Sequence, residues 1–441
     1  MKHLMVVLCC VLIVPSMCAT TITKSIDTNR LNTYLERLCH YNKFMGSVCI
    51  DKEGLVLYSK SVGYSDVDTR IEATNKSRYC IGSISKSMTS VMIFQAIERG
   101  KLSLSTTLDT FFPSIGNADR ITIDQMLNHS SGIHNFTDTD FPDWNMQAKS
   151  RSEMVDIIER GGNDFEPGSQ SKYSNSNYVL LSYILEILYN KPFGKILDKN
   201  IVQPLKLTDT FFGEVGKHNH DICNSYKFFD KWRIETRTHP WVTMGAGGIV
   251  STPRELNQFF EALFDGKLVS DSSLAHMMTI ENQYGRGLFK IPFYNKIGYG
   301  HTGGIDGFNS VSIYFPEDKI AYSLTSNGTN FVINDITLAV LSVTLDKPFD
   351  EPNFEAKKLT ASDLDKYLGV YSTPQIPIKL TVFKQDSILF GQGTGQQPFV
   401  LTQSAENVFT FKSGGIVIEF QPQSGTMILR QGGGSFFLKK E

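Results

Sequence analysis

Apolar positions along the first third of the chain change period twice. In "RLNTYLERLCHY", residues 30–41, they recur at helical spacing, and the runs 45–51 and 55–63 then read as strands joined by the turn "KEG". A helix therefore leads into a hairpin. The helical period returns at 84–99, 152–160, 177–190 and 253–265, and strand patterning follows near 299–303, 309–315 and 319–325. Strands at both ends of a helical middle make this an α+β unit, expected over residues 20–345.

The pattern lapses at "DKPFDEPNFEAKKLTAS", residues 346–362, where proline and charge replace any sustained apolar period, as in a linker. Beyond it, "PIKLTVF", "SILFGQG", "NVFTFK", "IVIEFQP", "TMILRQ" and "SFFLKK" are short strands separated by turn residues. Residues 363–441 are thus expected to form a small all-β barrel or sandwich. In "IKLTVF", Ile378, Leu380 and Val382 share one face, and Lys379 and Thr381 the other.

At the N-terminus, Lys2 and His3 precede an apolar stretch over 4–14, followed by Pro15, Ser16, Met17, Cys18 and Ala19. This reads as a signal peptide over 1–19, cleaved near 18–20, and predicts export to a periplasm or the outside; a buried terminal strand or helix is the competing reading. No later segment is apolar over a bilayer's thickness, so no transmembrane anchor is expected. Three of the seven cysteines lie in that leader. Cys39, Cys49, Cys80 and Cys223 remain, as one or two disulfides or as small buried thiols.

Charge narrows the partners. With 43 Lys and Arg against 45 Asp and Glu, the formal net charge is -2, too weak a field to argue for nucleic acid. A small molecule or peptide is the expected substrate, and association into a homo-oligomer stays open. No cysteine spacing fits a zinc site, and His218 and His220 sit in a loop without partner ligands, so no metal or other cofactor is expected.

Three short stretches carry chemistry. In "SISK", Ser83 and Lys86 stand three residues apart at a helix start, so the lysine projects alongside the serine hydroxyl. A desolvated lysine can take the proton that makes a serine nucleophilic. A capped helix start with a nearby lysine gives the same letters. "YSN", Tyr173 to Asn175, precedes an apolar helix, and "HTGG", His301 to Gly304, ends a strand; a helix cap and a glycine-rich hairpin are their ordinary readings. His129 in "LNHSSG" reads as a turn residue, and Asp306 as a cap on the turn after the third stretch.

In this order and spacing the three stretches resemble the serine β-lactamase and penicillin-binding DD-peptidase superfamily, class C-like branch. The likeness extends through "ITIDQMLNHSSGI" and "MGAGGIVSTPRELNQFF" over most of 28–345. It implies an antiparallel sheet flanked by helices beside a helical region. It also implies Ser83 as acylated nucleophile, Lys86 and Tyr173 as joint proton carriers, and backbone N–H groups of Ser83 and Gly304 as an oxyanion hole. Asn175, His301, Thr302 and Gly303 would hold substrate.

Many β-lactamases of this superfamily carry lysine where His301 stands, and a histidine holds a substrate carboxylate only when protonated. The expectation is therefore a serine hydrolase acting on amide bonds of D-amino-acid-containing peptides, of DD-peptidase or D-aminopeptidase type. A short-chain esterase, a weak class C-like β-lactamase and a non-turnover β-lactam or peptide receptor are the alternatives. The terminal unit resembles the lipocalin-like barrel appended to some members, through "YLGVYS" at 367–372.

Overall fold

The computed structural model describes residues 26–138, 145–213, 222–229, 231–349, 351–352, 354, 359–411, 414–431 and 434–441. The leader and the pair His218 and His220 lie outside the described residues. The chain divides into two compact units, Met1–Phe349 and Asp350–Glu441.

Six strands form the sheet of the first unit: β1 (Phe44–Lys52), β2 (Leu55–Val62), β3 (Phe289–Phe293), β4 (Lys296–Ile305), β5 (Phe308–Phe315) and β6 (Ile320–Thr329). Their order is β3-β4-β5-β6-β1-β2, antiparallel throughout. The first hairpin therefore closes against the last strand, with Val48 opposite Leu324. β1 and β6 are buried along nearly their whole length because both faces are covered. On one face Asp51 pairs with Arg254 of the helix Pro253–Phe264. On the other, Ile50 lies opposite Tyr322, whose hydroxyl donates to Thr337 of the helix Ile333–Thr344.

The helical region has its own apolar core, centred on the helix Ser85–Glu98. That helix is buried from Ser85 through Ala96, so water reaches none of its polar residues there. Short hydroxyls solve the problem. Ser87 donates to the Gly287 carbonyl at 2.6 Å, Thr89 to Gly245 at 2.8 Å and Ser90 to Arg286 at 2.7 Å. The run "SKSMTS" is therefore what lets a central helix be surrounded by crossing backbone.

The α+β layout expected from the sequence stands, and two differences are instructive. The helices Pro240–Gly247 and Ile333–Thr344 were not anticipated from apolar period. The first is interrupted at Met244 (φ 40°, ψ -132°), which destroys any regular repeat. The second is apolar on most sides and has no helical stripe to read.

The second unit is a closed barrel of eight antiparallel strands, from Gly369–Ser372 to Gly434–Lys440, closed where Tyr371 pairs with Lys440. Tyr367, Tyr371, Phe409, Phe420 and Met427 fill its interior. The tyrosine hydroxyls find partners inside: Tyr367 donates to Asn407 and Tyr371 to the Tyr367 carbonyl. Leu380 and Val382 point inward, whereas Ile378 precedes the strand Leu380–Gln385 and stays exposed. Of the stretch read as a linker, Phe349 packs on Tyr34 in the first unit, and Leu359 joins the barrel core. Cys39, Cys49, Cys80 and Cys223 are free thiols. Among the described residues no helix is long and apolar enough to cross a membrane, and no group of acidic, histidine or cysteine side chains could hold a metal.

Candidate active site

Ser83 sits in a tight turn, Gly82–Ile84, immediately before the helix Ser85–Glu98, rather than in the helix itself. Gly82 adopts φ +50°, and a Cβ there would stand 2.8 Å from the Gly304 backbone nitrogen. Only glycine admits that approach. The turn is pinned to the sheet by Ser310, which donates to the Ile81 carbonyl at 2.8 Å. The turn of Ser83 and the Gly304 end of β4 are thereby held side by side.

Lys86 is 0% exposed. Its Nζ lies 2.9 Å from Ser83 Oγ, 2.8 Å from Asn175 Oδ1 and 2.7 Å from the Ala246 carbonyl. Asn175 turns Oδ1 to the lysine because its Nδ2 donates to Thr137. Both oxygens can only accept. A neutral amine with its two N–H bonds so occupied has its lone pair left for the Ser83 proton. Burial pushes the Lys86 pKa well below the ordinary lysine range, toward that neutral form.

The Ala246 carbonyl reaches Lys86 through the break at Met244. A side-chain-bearing residue in that conformation costs about 1–3 kcal/mol. The strain turns successive carbonyls onto the central helix, Gly245 to Thr89 and Ala246 to Lys86. Sequence alone offers no sign of this beyond the glycines of "MGAGG".

Tyr173 is half-buried, its ring centroid 4.8 Å from Lys86 Nζ and its hydroxyl in contact with Ser83. Burial pushes the phenol pKa up, the Ser83 contact lowers it less, and Tyr284 adds to the rise. The phenol stays protonated. Beneath it, the segment 129–137 cradles the second motif: Asn135 accepts from the Asn175 N–H at 2.9 Å, Ser176 donates to the His134 carbonyl at 2.6 Å, and Ser131 to Asn177 at 2.6 Å.

His301 is also brought to this cluster, but not as a residue presented to solvent. It is 3% exposed, 4.5 Å from the Phe289 ring and 6.5 Å from Tyr173 between centroids. Its Nδ1 meets the Thr302 carbonyl at 2.5 Å, so the ring proton resides on Nδ1. Burial first, and then the neighbouring Lys86, push its pKa down to about 3. Thr302 is exposed and Gly303 lies against Ile81, where a Cβ would meet the Ile81 carbonyl. Asp306 accepts from the Thr238 backbone N–H and hydroxyl.

A cleft of about 480 Å³ opens over Ser83, Asn175 and Gly304, lined also by Phe136, Met146, Thr238 and Asp306. Phe136, Met146 and Thr238 belong to stretches whose sequence carries no motif. The cleft, the serine turn, the buried amine and the glycine-bearing strand end are the parts of an acyl-transfer site.

Comparison with known proteins agrees with that chemistry. The beta-lactamase family profile matches residues 41–343. The chain belongs to the beta-lactamase family of serine hydrolases. Penicillin-binding protein 4* of Bacillus subtilis is 24% identical over 429 residues, covering 90% of this chain and 94% of its own. The D-amino acid amidase of Ochrobactrum anthropi, solved with L-phenylalanine amide, is similar at a TM-score of 0.64 and 25% identity, over 72% of this chain and 99% of its own. The octameric penicillin-binding protein homologue of Pyrococcus abyssi shares the fold at a TM-score of 0.68 and 22% identity, over 94% of this chain and all of its own (100%).

In this beta-lactamase-family site Gly82 approaches Gly304 so closely that one added methyl group would press on the end of β4. Gly82→Ala is expected to destabilise the protein by about 1–2 kcal/mol, for a left-handed residue with a side chain. It should also lower kcat/KM on any acyl substrate by more than thermal stability explains, because the methyl group pushes the end of β4 from Ser83. Thermal melts and steady-state kinetics on the same preparation check this; full activity with unchanged melting would contradict it.

Proposed function

We propose that the protein acylates Ser83 and hydrolyses amide bonds of D-amino-acid-containing peptides, at the aminopeptidase and amidase end of that class. The observation that carries the choice is the buried His301. A ring with a pKa near 3 is neutral at physiological pH and supplies no positive charge to a substrate carboxylate. β-Lactams and peptides with a free C-terminal D-residue bring such a carboxylate; aminoacyl amides do not. The similarity to a D-amino acid amidase supports the D-configuration.

In this reading the neutral Lys86 takes the proton of Ser83 as Oγ bonds to the substrate carbonyl. The backbone N–H groups of Ser83 and Gly304 stabilise the resulting oxyanion. As the C–N bond breaks, the protonated Tyr173 gives its proton to the leaving nitrogen and is replenished by the proton held on Lys86. The net result is an ester on Ser83 and a neutral amine; water then reverses the sequence to release the acid. Tyr173 is unsuited to take the first proton because its phenol is held protonated.

Ser83→Ala should abolish turnover by about 10³-fold or more. On wild type, a panel of D-phenylalanine amide, N-acetyl-D-alanyl-D-alanine, nitrophenyl acetate and nitrocefin should rank the amide above the two carboxylated compounds by at least about ten-fold in kcat/KM. Preference for the free-carboxylate peptide would overturn the assignment, and a stable, unreleased adduct on Ser83 would convert it to a receptor.

The pH dependence follows from the same groups. Lys86 works as a base only when neutral, so kcat/KM should rise with pH through its lowered pKa and fall below it. His301 titrates near 3 and contributes no step between pH 5 and 8. His301→Gln should leave the acidic limb where it was; its disappearance in that variant would assign it to the histidine.

We also propose export, on the apolar leader at 1–19. The protein recovered from periplasm or medium should begin near residue 19, and an intact Met1 there would refute cleavage.

A further inference from the structure

His129 takes no part in these steps, yet it is built into the segment that carries Tyr173. It is 3% exposed and held at φ +60°. Its carbonyl accepts the Lys172 N–H at 3.0 Å, and its Nδ1 accepts the Ser174 N–H at 3.2 Å. The residues on either side of Tyr173 are thus both bonded to one histidine. The imidazole also lies against the phenol, centroids 4.5 Å apart at 33°, with Tyr178 and Tyr284 at 5.3 and 5.1 Å closing the ring's other approaches. The bonds from Asn135, His134 and Ser131 hold residues 175–177; beside Tyr173 the side chains of Lys172 and Ser174 reach Asp164 and the His134 carbonyl, and their backbone N–H groups go to His129.

A nitrogen that accepts from an amide N–H carries no proton, so the neutral ring's proton is on Nε2. Burial, and then Lys86 and His301, push the His129 pKa well below the ordinary histidine range, which keeps that acceptor available. The left-handed backbone supplies the turn that lets main chain and side chain of one residue face the same neighbouring segment.

We propose that His129 is a positioning residue for proton delivery by Tyr173: it clamps the backbone on both sides of the tyrosine and fixes the plane of the phenol against its own ring. This rests on Tyr173 as the donor to the leaving group. A misaligned phenol then harms reactions whose leaving group needs a proton and spares those whose leaving group departs as an anion. Nitrophenolate leaves unprotonated; an amine does not.

The experiment compares His129→Gly, His129→Asn and Tyr173→Phe with wild type on D-phenylalanine amide and on nitrophenyl acetate. Glycine accepts φ +60° without strain but has no acceptor, while asparagine tolerates that backbone and offers Oδ1 to the Ser174 N–H. His129→Gly should lose about ten-fold or more in kcat/KM on the amide, within the range of one general acid. It should lose under about three-fold in kcat/KM on the ester, which reports the acylation that expels nitrophenolate, and His129→Asn should recover most of the amide value. Labelling of Ser83 by a fluorophosphonate should match wild type. Equal losses on both substrates, or an amide rate within about two-fold of wild type in His129→Gly, would overturn the clamp. If His129→Gly does not fold, His129→Phe, which keeps a ring but no acceptor, must show the same split or the inference falls. Tyr173→Phe separates the two claims. Without a leaving-group split in that variant, the donor reading itself fails and takes this inference with it; a split there but not in His129→Gly refutes the clamp alone.

Discussion

Lys86 carries its amine out of contact with water, and the two carbonyl oxygens that meet it, from Ala246 and Asn175, decide what the amine can do. An ammonium in that position would keep only three hydrogen bonds in exchange for its hydration, and the desolvation penalty of a buried charge amounts to several kcal/mol. A neutral amine satisfies both oxygens and still has a lone pair toward Ser83. The rest of the helical region is arranged to make this arrangement hold. The break at Met244 brings the Ala246 carbonyl in, Thr137 fixes the rotation of the Asn175 amide, and short hydroxyls let crossing backbone surround the helix that bears the lysine.

The sheet contributes the second constraint. Its register places Gly304 opposite Asn309 and Gly303 opposite Ser310, and Ser310 is the residue that ties the serine turn down. A slip of β4 by one residue that put Ile305 in the place of Gly304 would bring a side chain to where the Gly82 turn approaches. The Ser83 turn and the Gly304 end of β4 therefore come from different halves of the unit but share one set of contacts. Strain at Met244, left-handed Gly82 and left-handed His129 are all found at this junction, as expected where backbone is bent to serve a site rather than stability.

Much of this was legible from the chain. Helices near 84–99, 177–190 and 253–265 announce themselves by period, and β1, β2, β5 and β6 by alternation or apolar runs. The three short motifs name Ser83, Lys86, Tyr173, Asn175 and His301, and the fold brings these five together. What could not be read is whatever depends on backbone direction. The Ala246 carbonyl is a main-chain group, so no letter marks it. His129 reads as a turn residue and is one, but its contacts with Lys172 and Ser174 span more than forty positions. His301 is legible as a residue and not as a charge state, because its neutrality comes from burial by Phe289 and Tyr173, which no local pattern reveals.

That charge state links the three bases of the site. Lys86, His129 and His301 are all buried, and Lys86 depresses the basicity of both histidines. Like charges buried together repel in the low dielectric of the interior, so such a cluster accepts one proton far more readily than two. In the proposed reaction, with both imidazoles neutral, the proton abstracted from Ser83 enters a site that holds no other, and Lys86 is free to take it. A lysine at position 301 would bring a second amine into this cluster, and either it or Lys86 would have to be neutral when the other was charged. In the proposed function the histidine of the third motif thus acts on two levels. It withholds the cation that a substrate carboxylate requires, and it leaves the proton capacity of the site to Lys86 alone.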